Sequence, residues 1–490
     1  MDGSAGDRVL GRSAGGYDCR VDGANTGWDA AGRFSKRRSA GHRRLIQQKK
    51  TRRHMPQKVQ SGLVSDSRRI RDKASSVNRR GFLSAMGTGF VVLNTPSGRA
   101  AAMQTSRQVD VAVVGAGAFG MWTALHLQRL GATVTVIDAY GAGNSRQTSG
   151  GETRGVRTSY GDRPHGRQWT GWARQAIARW KQWDEENQER LLPQVFVQTG
   201  DLVLRTETNT YIQETLANWD ALGVPYELLN PNEVANRWPW IRYEGLGIAL
   251  YEPEAGVVRA RRAIESVARV FVESGGKIEI GRAAFGARSG RELDNIALDS
   301  GETLSAGNFI FACGPWFPKI FPDLMGKRLR ISMGHVFYFS VPPGDRRFTY
   351  PYMPSYGVPG CTGWPALPVD HRGFRVRTGG RPPDDPDTSD RWVPPEYHGR
   401  PREILQRHFP DLANAVINET RACHYESSVD RNFIIDKYPG LDNVWLAGGG
   451  SAEGFKFGPI LGDYIANRVV GVDQEPHLAD QFRLKSEQFD

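Results

Sequence analysis

The 490-residue chain carries 64 Lys and Arg against 53 Asp and Glu, a formal charge of +11. That excess is local: residues 1–100 hold 21 Lys and Arg against 7 Asp, and the remaining 390 residues sum to −3. A nucleic-acid groove on the body is excluded by that balance, and four scattered cysteines exclude a disulfide framework or a zinc site.

The chain order begins with a segment that promises no fold. Residues 1–77 are rich in Gly, Ser, Asp and Arg, lack apolar periodicity, and read as a disordered basic arm. NRRGFLSAMGTGFVVLNTPSGRAAA, residues 78–102, pairs Arg79 and Arg80 with an apolar run and then a small-residue site at Ala100–Ala102. It resembles a twin-arginine export signal, which implies a periplasmic or extracellular protein; a cytoplasmic chain with an untargeted basic arm is the alternative. Met55 is a candidate start in front of it. No uninterrupted apolar run is long enough for a membrane span.

QVDVAVVGAGAFGMWTALHLQRLGATVTVIDAYG follows from Gln108. Its composition predicts a buried strand over residues 109–114, a helix running to about Leu130 capped by Gly131, and a second strand over ATVTVID. Gly115, Gly117 and Gly120 form GxGxxG at the strand-to-helix turn, with Ala116 and Phe119 inside it. The glycines allow the tight turn, close approach of backbone to a pyrophosphate, and close helix packing; the helix N-terminus offers N–H groups to phosphate. Asp138, 18 residues past Gly120, is placed to accept ribose hydroxyls. This pattern indicates a dinucleotide and leaves FAD and NAD(P) both open.

Three later stretches decide between them: TSGGETRGVRTSYGD (148–162), GNFIFACGPW (307–316) and NVWLAGGGSAEGFKFGPILGDYIANRVVG (443–471). With the glycine turn they resemble the monomeric sarcosine oxidase and N-methyltryptophan oxidase family of D-amino-acid-oxidase-like flavoenzymes. The resemblance spans 107 to about 472 and is thin over 165–250 and 340–420. It implies an α/β fold (α+β overall): a Rossmann-type FAD domain from residues 107–165, 253–325 and 420–472, and a substrate domain on a large mixed sheet from 166–252 and 326–419.

The resemblance also assigns roles. Cys423-His424-Tyr425 before Phe433-Ile434-Ile435-Asp436 matches the family's C-x-Y and F-I-I-D segment, whose cysteine bonds covalently to the flavin; a buried free thiol is the other reading. Arg157 and Lys456, in TRGVR and GFKF, match the family's substrate-carboxylate clamp, with an ordinary ion pair and a snorkelling lysine as their other readings. Thr153, Arg154, Gly314, Gly454 and Phe455 join the cofactor set, and Tyr425 lines the substrate pocket. Cys313 is expected in a strand core, and Cys361 in a Pro/Gly-rich loop without a role.

The implied reaction is oxidation of a carboxylate-bearing secondary or tertiary amine to an imine that hydrolyses, oxygen becoming hydrogen peroxide, in a monomer without metal. Two departures stand. Ser149, Gly150 and Gly151 occupy places where the family carries histidines. RISMGHVFYF (330–339) lacks the family's oxygen-activating lysine; His335 there reads first as an ordinary strand histidine. A dehydrogenase using another acceptor is therefore an alternative, as is a non-catalytic dinucleotide-binding protein with a basic interaction arm. The insert 364–401 is expected to be mostly surface loop, with GFRVR a pocket-side strand.

Overall fold

The computed structural model describes residues 107–368, 370–472 and 475–490. The basic arm and the twin-arginine segment lie outside them.

Arg107–Val114 (β1) turns through the glycines into the helix Ala118–Arg129 (α1) and returns as Val134–Asp138 (β2). The apolar run forms a strand buried on both faces, as a central parallel strand requires. Gly131, at φ +95°, supplies the left-handed position behind the helix. Thr303–Phe311 (β3) pairs parallel with β1 on the side opposite β2. Lys277–Ile280 extends the sheet beyond β2, and Val444–Gly448 runs parallel beside β3. Ala283–Phe285 and Asn295–Leu298 add an antiparallel edge, and Ile434–Lys437 adds to Val444–Gly448, completing eight strands. The parallel core is thus gathered from three separated stretches.

A second eight-stranded mixed sheet holds Leu329–Phe339 (β4) between Phe374–Gly379 (β5) and Ile417–Ser428 (β6), then Cys361–Trp364, Ser355–Val358 and Asp201–Arg205. GFRVR is therefore a strand inside this sheet. Cys361, expected in a loop, begins a strand and is buried; its Pro and Gly neighbours mark the hairpin rather than an irregular segment.

Gly458–Val469 (α2) packs against α1, with Pro459 in its first turn where no N–H is needed. The contact is close because Gly462 faces Trp122, where a Cβ would lie 2.5 Å from the tryptophan's Cβ. Trp122 meets Trp180 and Trp183 edge-on, and Phe433, Phe457 and Phe482 surround Trp169. Each such fully buried aromatic contributes about 2–3 kcal/mol through area removed from water. This nest holds α2 and the turn before it against the glycine turn. Among the described residues no helix is long and apolar enough to cross a membrane.

Candidate active site

A cavity of about 490 Å³, within the size range of small-molecule sites, opens between the two sheets. Of the residues singled out in the sequence, Gly115, Gly117, Phe119, Asp138, Arg154 and Arg157 line it from the first part of the chain. Gly314, Cys423, Tyr425, Gly454, Phe455 and Lys456 line it from the later segments. Ala116, Gly120 and Thr153 do not, and each supports the wall from behind. Ala116 N–H donates to Asp138 Oδ2 at 2.8 Å. A Cβ at Gly120 would stand 1.8 Å from the Gly115 carbonyl oxygen. Thr153 is buried between Tyr338 Oη (3.1 Å) and Trp364 Nε1 (3.0 Å).

Gly115 has φ +109°, and a Cβ there would meet the Ala312 carbonyl at 2.3 Å, so only glycine fits. The N-terminus of α1 faces the cavity, and Ser149 Oγ accepts the Ala118 N–H at 2.9 Å. Ser149 thus satisfies a free N–H of the first helical turn from outside the helix. Asp138 also accepts Tyr140 N–H at 2.8 Å and Gln147 Nε2 at 2.9 Å. Burial raises its pKa, with these hydrogen bonds opposing the shift.

At the far end, Cys423 stands opposite Gly334 in the β4–β6 register, so no side chain covers it from that strand. Arg154 Nη2 lies 3.6 Å from its Sγ. Burial pushes the thiol up, but the guanidinium groups of Arg154, Arg421, Arg391 and Arg377 outweigh it and hold it below the ordinary range. Cys313, expected in a strand core, sits just past β3 and lines the same cavity; burial pushes its thiol far up, so it is inert by comparison.

Arg157 donates through Nε to Ser159 Oγ at 3.2 Å, and its two Nη atoms make no hydrogen bond to the described residues. Burial lowers its pKa, and Glu453 and Asp201 more than reverse this, keeping the fork charged. Lys456 is 5% exposed, and its Nζ donates to Tyr160 Oη at 2.8 Å and to Glu453 Oε2. Glu453 itself lines the cavity; burial opposes its ionisation, but Lys456, Arg157 and Arg163 bring it down to about 2.

Arg375 and Arg377, on β5, also line the cavity. Arg375 is buried, stacks 3.7 Å from the Trp364 ring centroid, and has no partner for Nε or Nη1. Burial lowers its pKa to about 10. His335 lies on β4, fully buried, with Nε2 accepting the Arg381 N–H at 3.1 Å; it does not line the cavity. Sequence reasoning passed over Glu453; it named Ser149 only as a departure, and held Arg375 and Arg377 only as part of the expected GFRVR strand, without roles of their own. Arg375 and Arg377 carried a readable signal, since GFRVR alternates apolar and basic residues as a half-buried strand does.

The family model described as "FAD dependent oxidoreductase" matches residues 110–468. Monomeric sarcosine oxidase of Arthrobacter sp. (strain TE1826) is 25% identical over 390 residues, covering 75% of this chain and 94% of that protein. N-methyl-L-tryptophan oxidase of Yersinia pestis (strain Pestoides F) is 26% identical over 373 residues, covering 73% and 94%. The crystal structure of glycine oxidase from Geobacillus kaustophilus superposes with a TM-score of 0.65 at 19% identity, covering 78% of this chain and all of that one.

Proposed function

The chain belongs to the FAD dependent oxidoreductase family, and on that premise we propose that it oxidises a secondary or tertiary amine bearing a carboxylate, such as an N-methyl or cyclic amino acid. The observation that carries the reading is Arg157: a half-buried guanidinium at the cavity wall, kept charged by Glu453 and Asp201, whose two Nη atoms make no hydrogen bond to the described residues. Planar carboxylate matches that fork in bidentate fashion. Lys456 stands beside it, paired with Glu453; burial lowers its pKa and Glu453 opposes the shift.

The residues present fit FAD. The glycine turn leaves room for backbone to approach phosphate, Asp138 stands at the end of β2, and α1 directs its N-terminus into the cavity. Bound FAD supplies the two-electron acceptor for the amine C–H bond. Arg157 and Lys456 hold the carboxylate, and Tyr425 borders the space in which the amine lies. The cavity walls exclude bulk water while the C–H bond is broken. Water then converts the product imine to an amine and a carbonyl compound.

Cys423 is the point of covalent attachment in this reading, supported by its place on the cavity wall and its thiol held below the ordinary range by arginines. Oxygen, reduced to hydrogen peroxide, is the acceptor. Arg375 supplies the buried cation that RISMGHVFYF lacks. Export through the twin-arginine segment, after folding with the cofactor, belongs to the same reading.

Arg157→Met tests the clamp. It should raise KM at least about a hundredfold for N-methyl amino acids, the loss of a charged bidentate contact. The corresponding amides should change by less than about threefold. Equal losses for acid and amide would overturn the assignment, and oxygen uptake compared with dye reduction in the parent enzyme identifies the acceptor.

A further inference from the structure

Residues 381–391, between β5 and the helix Gly399–His408, make one feature that amine oxidation does not explain. The segment has no regular structure, yet polar contacts pin it on both sides. At one side the Arg381 N–H donates to His335 Nε2 at 3.1 Å, Asp384 Oδ1 lies 3.0 Å from His424 Nε2, and the Arg391 guanidinium meets His424 Nδ1. These contacts reach the residue next to Cys423. At the other side Asp387 reaches the dinucleotide-binding sheet. Its Oδ1 accepts Tyr140 Oη–H at 2.6 Å, Trp316 Nε1–H at 2.9 Å and Arg282 Nη2–H at 3.0 Å, and its Oδ2 accepts Lys319 Nζ–H.

These four donors come from separate elements. Tyr140 follows β2, Arg282 follows Lys277–Ile280, and Trp316 and Lys319 follow β3. All lie past the carboxyl ends of parallel strands, where ligands of such sheets bind, and all four line the cavity. Tyr140 is two residues from Asp138, which places the group at the ribose end of the dinucleotide path. One carboxylate, only 12% exposed, thus gathers two aromatic rings and two cations at the cavity rim. The donors outweigh burial and keep it ionised.

We propose that residues 381–391 are a clasp that closes the Asp138 end of the cavity over bound FAD, and that Asp387 is the positioning residue that keeps it shut. The cofactor enters and leaves only when the Asp387 contacts part. The proposal rests on FAD as occupant of the cavity, and its test separates the two claims.

The experiment uses the full chain with Cys423→Ala, so that flavin is exchangeable, and follows FAD loading and release by flavin fluorescence. Adding Asp387→Asn, which removes the charge and keeps the shape, should accelerate release by about tenfold or more and accelerate loading as well. A lesion that merely damaged the pocket would speed release and slow loading, and that pattern overturns the clasp. Rates equal to those of Cys423→Ala alone overturn it too. If Cys423→Ala takes up no FAD at all, the cofactor reading falls and the clasp with it. A second measurement needs no Asp387 variant: hydrogen exchange across 381–391 in the chain without that substitution should slow when FAD is bound, and unchanged exchange contradicts the proposal.

Discussion

Cys423 illustrates how much a single residue owes to groups distant in sequence. Its neighbours Arg154, Arg377, Arg391 and Arg421 come from a short strand, two sheet strands and the clasp. The C-x-Y spacing marked the cysteine, TRGVR marked Arg154 and GFRVR held Arg377; nothing local marked Arg391 or Arg421, which only the tertiary fold brings to the thiol. Glu453 escaped notice for a similar reason. In sequence it is one acid among glycines; in the fold it lies beside Lys456, Tyr160 and Arg163. Cys423→Ala should move the yellow colour from the acid-precipitated pellet to the supernatant, read by absorbance of both fractions. A pellet that stays yellow would place the attachment on another residue.

At the scale of elements, legibility follows contiguity. Strand, glycine turn, helix and second strand lie within residues 107–138 and were readable almost residue by residue, because each makes its key contacts with the next. The glycines read correctly for a reason the geometry makes explicit: a Cβ at Gly120 would overlap the Gly115 carbonyl. Gly120→Ala should therefore push α1 off β1, at a cost of roughly 1–3 kcal/mol, seen as a lower melting temperature together with weakened FAD binding. Unchanged FAD affinity would mean that helix packing does not set the turn. Cys361–Trp364 and β5 were harder to read. They lie near a stretch rich in Pro and Asp, and their strand identity comes from pairing with each other and with β4. The clasp was the least legible. Its composition signals a surface loop, and only tertiary donors turn Asp387 inward.

On the scale of the whole molecule, two eight-stranded sheets place chemistry from opposite ends of the chain around one cavity. The parallel sheet brings a helix N-terminus and Asp138; the mixed sheet brings Cys423, Tyr425 and the β5 arginines. Arg157 arrives just past the short strand Arg154–Val156, and Lys456 on the turn between Val444–Gly448 and α2. The charge balance of the body, legible from composition, could not reveal this internal concentration of guanidinium groups, because acids elsewhere cancel it in the sum. The most direct test is anaerobic titration of the purified, folded protein with a panel of N-methyl and cyclic amino acids, followed by flavin absorbance. The expected result is a yellow protein whose visible band bleaches with at least one carboxylate-bearing amine and not with its amide. A colourless folded protein that takes up no added FAD, or a yellow one that no amine in the panel bleaches, would contradict the account.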